Sequence, residues 1–129
     1  MEIVSALFAE NINLRQVPGP STRIDLTGIM FSLPAPTEPP VTVTPHLIVL
    51  VRSRPNDPGQ GVLEVVFTDG HGEEVARNAT PFNVEPGKFT YRLVRAELAY
   101  KDYGTIEARC RLVPGDATVT VPLTLIPGA

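Results

Sequence analysis

The chain has 129 residues, 43% hydrophobic and 19% charged, with 11 basic and 14 acidic side chains and a formal net charge of −3. That length suits one domain able to bury a core without help from a disulfide or metal, and the composition is that of a folded chain. With no basic excess for phosphates and no Lys/Arg cluster beside an apolar helix, neither nucleic acid nor a membrane surface is an expected partner.

Cys110 is the single cysteine. It can form no intramolecular disulfide and, alone, no zinc site. Met1-Glu2-Ile3-Val4-Ser5 has no positive n-region, and the longest apolar run, Leu47 to Val51, is too short to cross a bilayer. A cytoplasmic location is the expectation, and the Asn78-Ala79-Thr80 sequon is read as chance.

Fourteen prolines and ten glycines fall in clusters. Between them lie short runs rich in Val, Ile, Leu, Thr, Phe and Tyr at roughly ten-residue spacing, the signature of an all-β sandwich or barrel. In chain order the strands are predicted near Glu2–Glu10, Arg23–Leu33, His46–Arg54, Val62–Thr68, Glu73–Asn78, Lys88–Leu98, Thr105–Leu112 and Thr118–Ile126. The expected fold class is therefore a two-sheet antiparallel β-sandwich of about eight strands in one domain spanning residues 1–129. Helix is at most a short insert near Val94–Lys101.

Gly28 interrupts its strand and predicts a bulge or bend. The Pro34–Pro45 segment reads as an extended crossing between sheets. Asp69-Gly70-His71-Gly72 reads as a hairpin connection, and Pro86-Gly87 and Pro114-Gly115 fit the central positions of type II turns. In the last two strands Ile106, Ala108, Cys110, Leu112, Val119, Val121, Leu123 and Leu125 are predicted to face inward, opposite Thr105, Glu107, Arg109, Arg111 and the threonines.

Three runs break that alternation: Ile3–Phe8, His46–Val51 and Val62–Phe67. In a two-layer sandwich each sheet has one dry face, so a strand apolar on both sides needs a second cover. That cover is either a loop, with Pro34–Pro45 long enough to serve, or a second subunit. Weighed together, they point to Ile48, Leu50, Phe67, Val4 and Phe8 as candidate interface residues, with protein, self or other, as the partner and a homodimer as the expected assembly.

The order of features is also familiar. Ala6-Leu7-Phe8-Ala9-Glu10 precedes a Leu26-Thr27-Gly28-Ile29 strand. A Pro-rich crossing, a Leu47–Arg52 strand and a Phe67-Thr68-Asp69-Gly70 hairpin follow, and the chain ends with Tyr103-Gly104-Thr105 and Val121-Pro122-Leu123. This order resembles an uncharacterised bacterial family of single-domain proteins of about this length. The resemblance implies an immunoglobulin-like sandwich and carries no assigned activity or functional residue. In place of that family's more glycine-rich first loop stands Gln16-Val17-Pro18-Gly19-Pro20-Ser21.

The search for chemistry is mostly negative. Asp69, His71, Glu73 and Glu74 could supply oxygen and imidazole ligands to a divalent ion, making a metal-binding protein or hydrolase centred on Asp69-His71-Glu73 one alternative. Their spacing matches no EF-hand or His-Glu-x-x-His motif, and a solvated turn is the simpler reading. No Gly-x-Ser-x-Gly elbow accompanies His46 or His71, and Cys110 on the inward face is expected to be an inert thiol.

Glu64 interrupts an apolar strand. It is expected to face solvent or pair with an arginine across strands. Arg92, Arg95, Arg109 and Arg111, with Glu97 and Glu107, are expected to form a cross-strand charge lattice. Phosphate-loop and dinucleotide motifs are missing, and Pro36-Thr37-Glu38-Pro39 reads as crossing loop. The leading expectation is a non-enzymatic interaction or assembly module with no cofactor, no catalytic residue and no metal ligand. A carrier of small apolar ligands is a further alternative.

Overall fold

The computed structural model describes residues 1–19 and 21–128. Among them there is no helix and there are eleven strands: β1 (Glu2–Val17), β2 (Ser21–Met30), β3 (Ser32–Pro34), β4 (Val41–Val43), β5 (His46–Arg52), β6 (Gln60–Thr68), β7 (Glu74–Asn83), β8 (Phe89–Arg95), β9 (Leu98–Tyr100), β10 (Gly104–Val113) and β11 (Thr118–Ile126). The all-β reading stands, with eleven strands in place of eight. Val94–Lys101 is split between β8 and β9 and holds no helical insert.

Two sheets face each other. One has four strands in the order β2-β1-β5-β8; the other has five, β3-β11-β10-β6-β7, and β4 with β9 forms a small two-stranded annex. Neighbours pair antiparallel except β3, which runs parallel to β11.

The core between the sheets is one cluster. The four-stranded sheet supplies Ala6, Phe8, Leu47, Val49, Val51 and Val94; the five-stranded sheet answers with Leu63, Val65, Phe67, Phe82, Ile106, Ala108, Cys110, Leu112, Val121, Leu123 and Leu125. Inward residues fall on every second position, as the pleat requires. The predicted inward face of β10 and β11 is recovered, with Val119 only partly buried at the end of its strand.

Turn chemistry places the strands. Lys88 N–H closes on the Glu85 carbonyl at 3.0 Å around Pro86-Gly87, and Gly87 has φ +84°. That is the type II arrangement expected there. The Pro114-Gly115 connection is wider, closed by Leu112 N–H on the Ala117 carbonyl at 3.0 Å. Gly28 has φ +67°, but the β1–β2 register runs through it unshifted, so the expected bulge is a local left-handed residue instead. The register shift in β1 lies between Ile3 and Ser5.

The chain changes sheets abruptly after β2. Phe31 still accepts Thr124 N–H at 2.8 Å, and Ser32–Pro34 then lies beside Thr124–Ile126. The crossing expected over Pro34–Pro45 therefore begins in the five-stranded sheet and contains β4.

Candidate functional site

The outer face of the four-stranded sheet carries the apolar rows that broke the sequence alternation. The register sets Leu7 beside Ile48 and Ile48 beside Leu93, with Ser5, Leu50 and Tyr91 in the next row. These side chains point away from the core because their neighbours Phe8, Leu47, Val49 and Val94 point into it.

The candidate interface residues separate here. Phe8 and Phe67 are 1% exposed and sit in the core, on the inward positions of β1 and β6. Neither can touch a partner, and the expectation for them is corrected. Where every residue of a run is apolar, sequence alone cannot say which ones face in. Ile48 does face outward, yet it too is 1% exposed, so the chain supplies its own cover. Leu50 is half-buried, and Val4, beside the β1 register shift, is exposed.

The β1–β2 ribbon reaches this face beside Leu50. β5 pairs with β1 only from Glu2 to Ala9, whereas β2 continues to pair with β1 as far as Val17. Beyond Ala9 the two strands form an arm with no other sheet neighbour among the described strands. Its tip residues Ser21, Thr22, Arg23 and Ile24 line one side of a groove of about 820 Å³, with Leu50 and Gly87–Tyr91 on the other. Leu50 and Tyr91 lie far along their strands from His46, where the arm departs. The arm therefore folds back toward this face.

The cover is incomplete. Phe89 is 65% exposed and Leu93 49%. Both are on β8, an edge strand that pairs only with β5 among the described strands. The opposite sheet's edge strand, β7, contains Pro81, which blunts pairing. β8 has no proline, and its Arg92 is turned onto the Phe82 ring at 6.0 Å, reaching towards the Pro81 carbonyl. The β8 edge and its exposed apolar pair are the feature this face offers a partner.

Other candidates resolve differently. In the Asp69–Glu73 turn, one Asp69 oxygen accepts His71 N–H at 2.8 Å and Glu73 N–H at 3.0 Å. These backbone donors hold the Asp69 carboxyl below its ordinary value. Its role is to close the hairpin. No group of three His, Cys, Asp or Glu among the described residues is placed to hold a metal ion.

Cys110 is buried, and burial pushes its thiol up to about 12, as expected for an inert group. The volume an apolar carrier would keep open is filled by Phe8, Phe67, Leu47, Leu63 and Leu123.

Glu64 pairs across strands as expected, its two oxygens 3.6 Å from Arg77 and 3.5 Å from Arg111. The wider arginine lattice does not assemble. Arg92 and Arg95 are on β8 in one sheet, while Arg109 and Arg111 are on β10 in the other. Sequence order placed these strands together, and the sheet pairing separates them.

Comparison with protein-family models and with curated proteins finds no match for this chain. Among the described residues no helix is long and apolar enough to cross a membrane.

Proposed function

We propose that this chain is a non-enzymatic, immunoglobulin-like interaction module that associates through the β8 edge of its four-stranded sheet, with a second copy as the partner. The strand order supports the immunoglobulin-like reading. β1-β5-β8 corresponds to strands A, B and E of that fold, and β11-β10-β6-β7 to G, F, C and C′. The parallel β3 then sits at the open flank of the last strand.

The observation that carries the interaction reading is the exposure of Phe89 and Leu93 on a free, proline-free edge strand. Such an edge is a template for another strand. Two copies of one strand can pair antiparallel about a two-fold axis, so one surface serves both partners. The neighbouring groove widens the contact, because a strand added at β8 would also approach the Phe89 and Tyr91 side of it.

Sedimentation velocity across the micromolar range tests the proposal. A dimer that Leu93→Glu converts to a folded monomer, with unchanged β-sheet circular dichroism, is the expected result. A wild-type chain that stays monomeric throughout, or a dimer indifferent to both Leu93→Glu and Phe89→Glu, would overturn it.

A further inference from the structure

The outer face of the opposite sheet carries a second feature. β6 was expected to need cover because it is apolar on both sides, and there the cover is arginine. Val66 lies between Arg109 on β10 and Arg77 on β7, and Glu64 is beside Arg111 in the next row. The long aliphatic stems of these arginines can shield Val66 while the guanidinium groups remain in water. Together Glu64, Val66, Thr68, Arg77, Arg109 and Arg111 line a concavity of about 380 Å³.

Charge is unbalanced inside it. Three guanidinium groups face one carboxylate, and the Glu64 contacts, at 3.6 and 3.5 Å, are long for charge-assisted hydrogen bonds. Arg77 has a closer partner outside the lining, Glu74 at 2.6 Å. Arg109 has no ion-pair partner among the described residues; Glu107, two positions along on the same face, lies outside the lining. The Arg111 Nε is shielded from solvent and has no hydrogen-bond acceptor.

From this convergence we infer that the Arg77–Arg109–Arg111 concavity binds a phosphoryl group. Guanidinium groups reach it from two strands on either side of β6, a geometry suited to a tetrahedral oxyanion with several acceptor oxygens. A phosphoryl group, with a charge of about −1.5 to −2 at neutral pH, brings several acceptor oxygens to Arg109, unpaired among the described residues, and to Arg111, whose Glu64 contact is long. Glu64 contacts both Arg77 and Arg111 and repels an incoming anion, so it tunes the site against indiscriminate anion capture. The ligand is either inorganic phosphate or a phosphate monoester, and both present the same oxygens.

Calorimetric and NMR titration of the intact chain tests this, with inorganic phosphate, phosphoserine and acetate as separate probes at fixed ionic strength. Binding of inorganic phosphate or phosphoserine tighter than about 10 mM, with acetate weaker, is the expected result. The tighter of the two phosphate probes identifies the source. Arg109→Gln should weaken phosphate binding by about tenfold, the worth of one charge-assisted contact, and Glu64→Gln should strengthen it. A purely structural Glu64 would give the opposite sign, because its loss would leave Arg111 less ordered. No saturable phosphate binding, equal binding of acetate, or an Arg109→Gln variant indistinguishable from wild type would each overturn the inference.

Discussion

The hydroxyl of Tyr100 donates a hydrogen bond to the main-chain carbonyl of Leu123, 2.6 Å away in a buried setting. Tyr100 belongs to the short annex strand β9, and Leu123 lies in the middle of β11. One bond therefore fastens the annex to the five-stranded sheet and supplies a buried carbonyl with a further donor. Tyr100→Phe removes the donor while keeping the ring. The expected cost is about 1–2 kcal/mol, read as a lower urea midpoint with unchanged m-value.

Alkaline pH should weaken the fold through two buried groups. Burial raises the Tyr100 phenol from 10.0 to about 12 and the Cys110 thiol from 9.0 to about 12. Both are neutral when protonated, so between their ordinary and raised values the folded state holds protons that the unfolded state has released. Stability then falls as pH rises, by about 1.4 kcal/mol per pH unit for each group inside its window. Denaturant titrations between pH 9 and pH 12, windows set by those same values, should show the decline. Cys110→Ala should remove the part that starts near 9.0. A thiol reagent at neutral pH should leave the folded protein unmodified and label it once denatured.

Apolar residues that look equivalent in the sequence should separate sharply on truncation. Phe67→Ala empties a fully buried position and should cost about 3–5 kcal/mol. Leu93→Ala, half-exposed on β8, should cost no more than about 1 kcal/mol. Thermal melts of the two variants, compared at the same protein concentration, check the contrast.

That contrast shows where the sequence was readable. Proline and glycine clusters mark real chain turns, because φ limits at Pro86-Gly87 and the Asp69 side-chain bonds act locally. Facing was readable where charged and apolar residues alternate, as in Glu107, Arg109 and Arg111 of β10. It was not readable in β5 or β6, where Ile48 and Phe67 are both apolar and only the partner strands decide their side. The length of β1 was hidden for a related reason. Asn11 to Gln16 look like loop residues, and what makes them strand is pairing with residues 22–27 of β2. The Glu64 pairing was legible as a cross-strand rule. The Arg77 contribution was missed because it depends on the β6–β7 register, which places Arg77 beside Val66.

Gly28 should tolerate no side chain without loss. Its φ of +67° disfavours any L-residue, and an added Cβ would stand 2.6 Å from the Glu10 Cδ. The Glu10 side chain is exposed and can swing aside, so the backbone strain dominates, at about 1–2 kcal/mol for Gly28→Ala. Hydrogen exchange should show the effect confined to the arm, with amides of residues 11–17 and 21–27 exchanging faster and those of β10 unchanged.

The change of sheets at Phe31 has a mechanical counterpart. A covalent link of so few residues acts as the spine of a book: along that flank the two covers cannot slip or part. At the far margin Arg92 of β8 rests on Phe82 of β7 like a clasp. There the five residues between Asn83 and Phe89 join the sheets a second time, so neither flank can open without bending a covalent link.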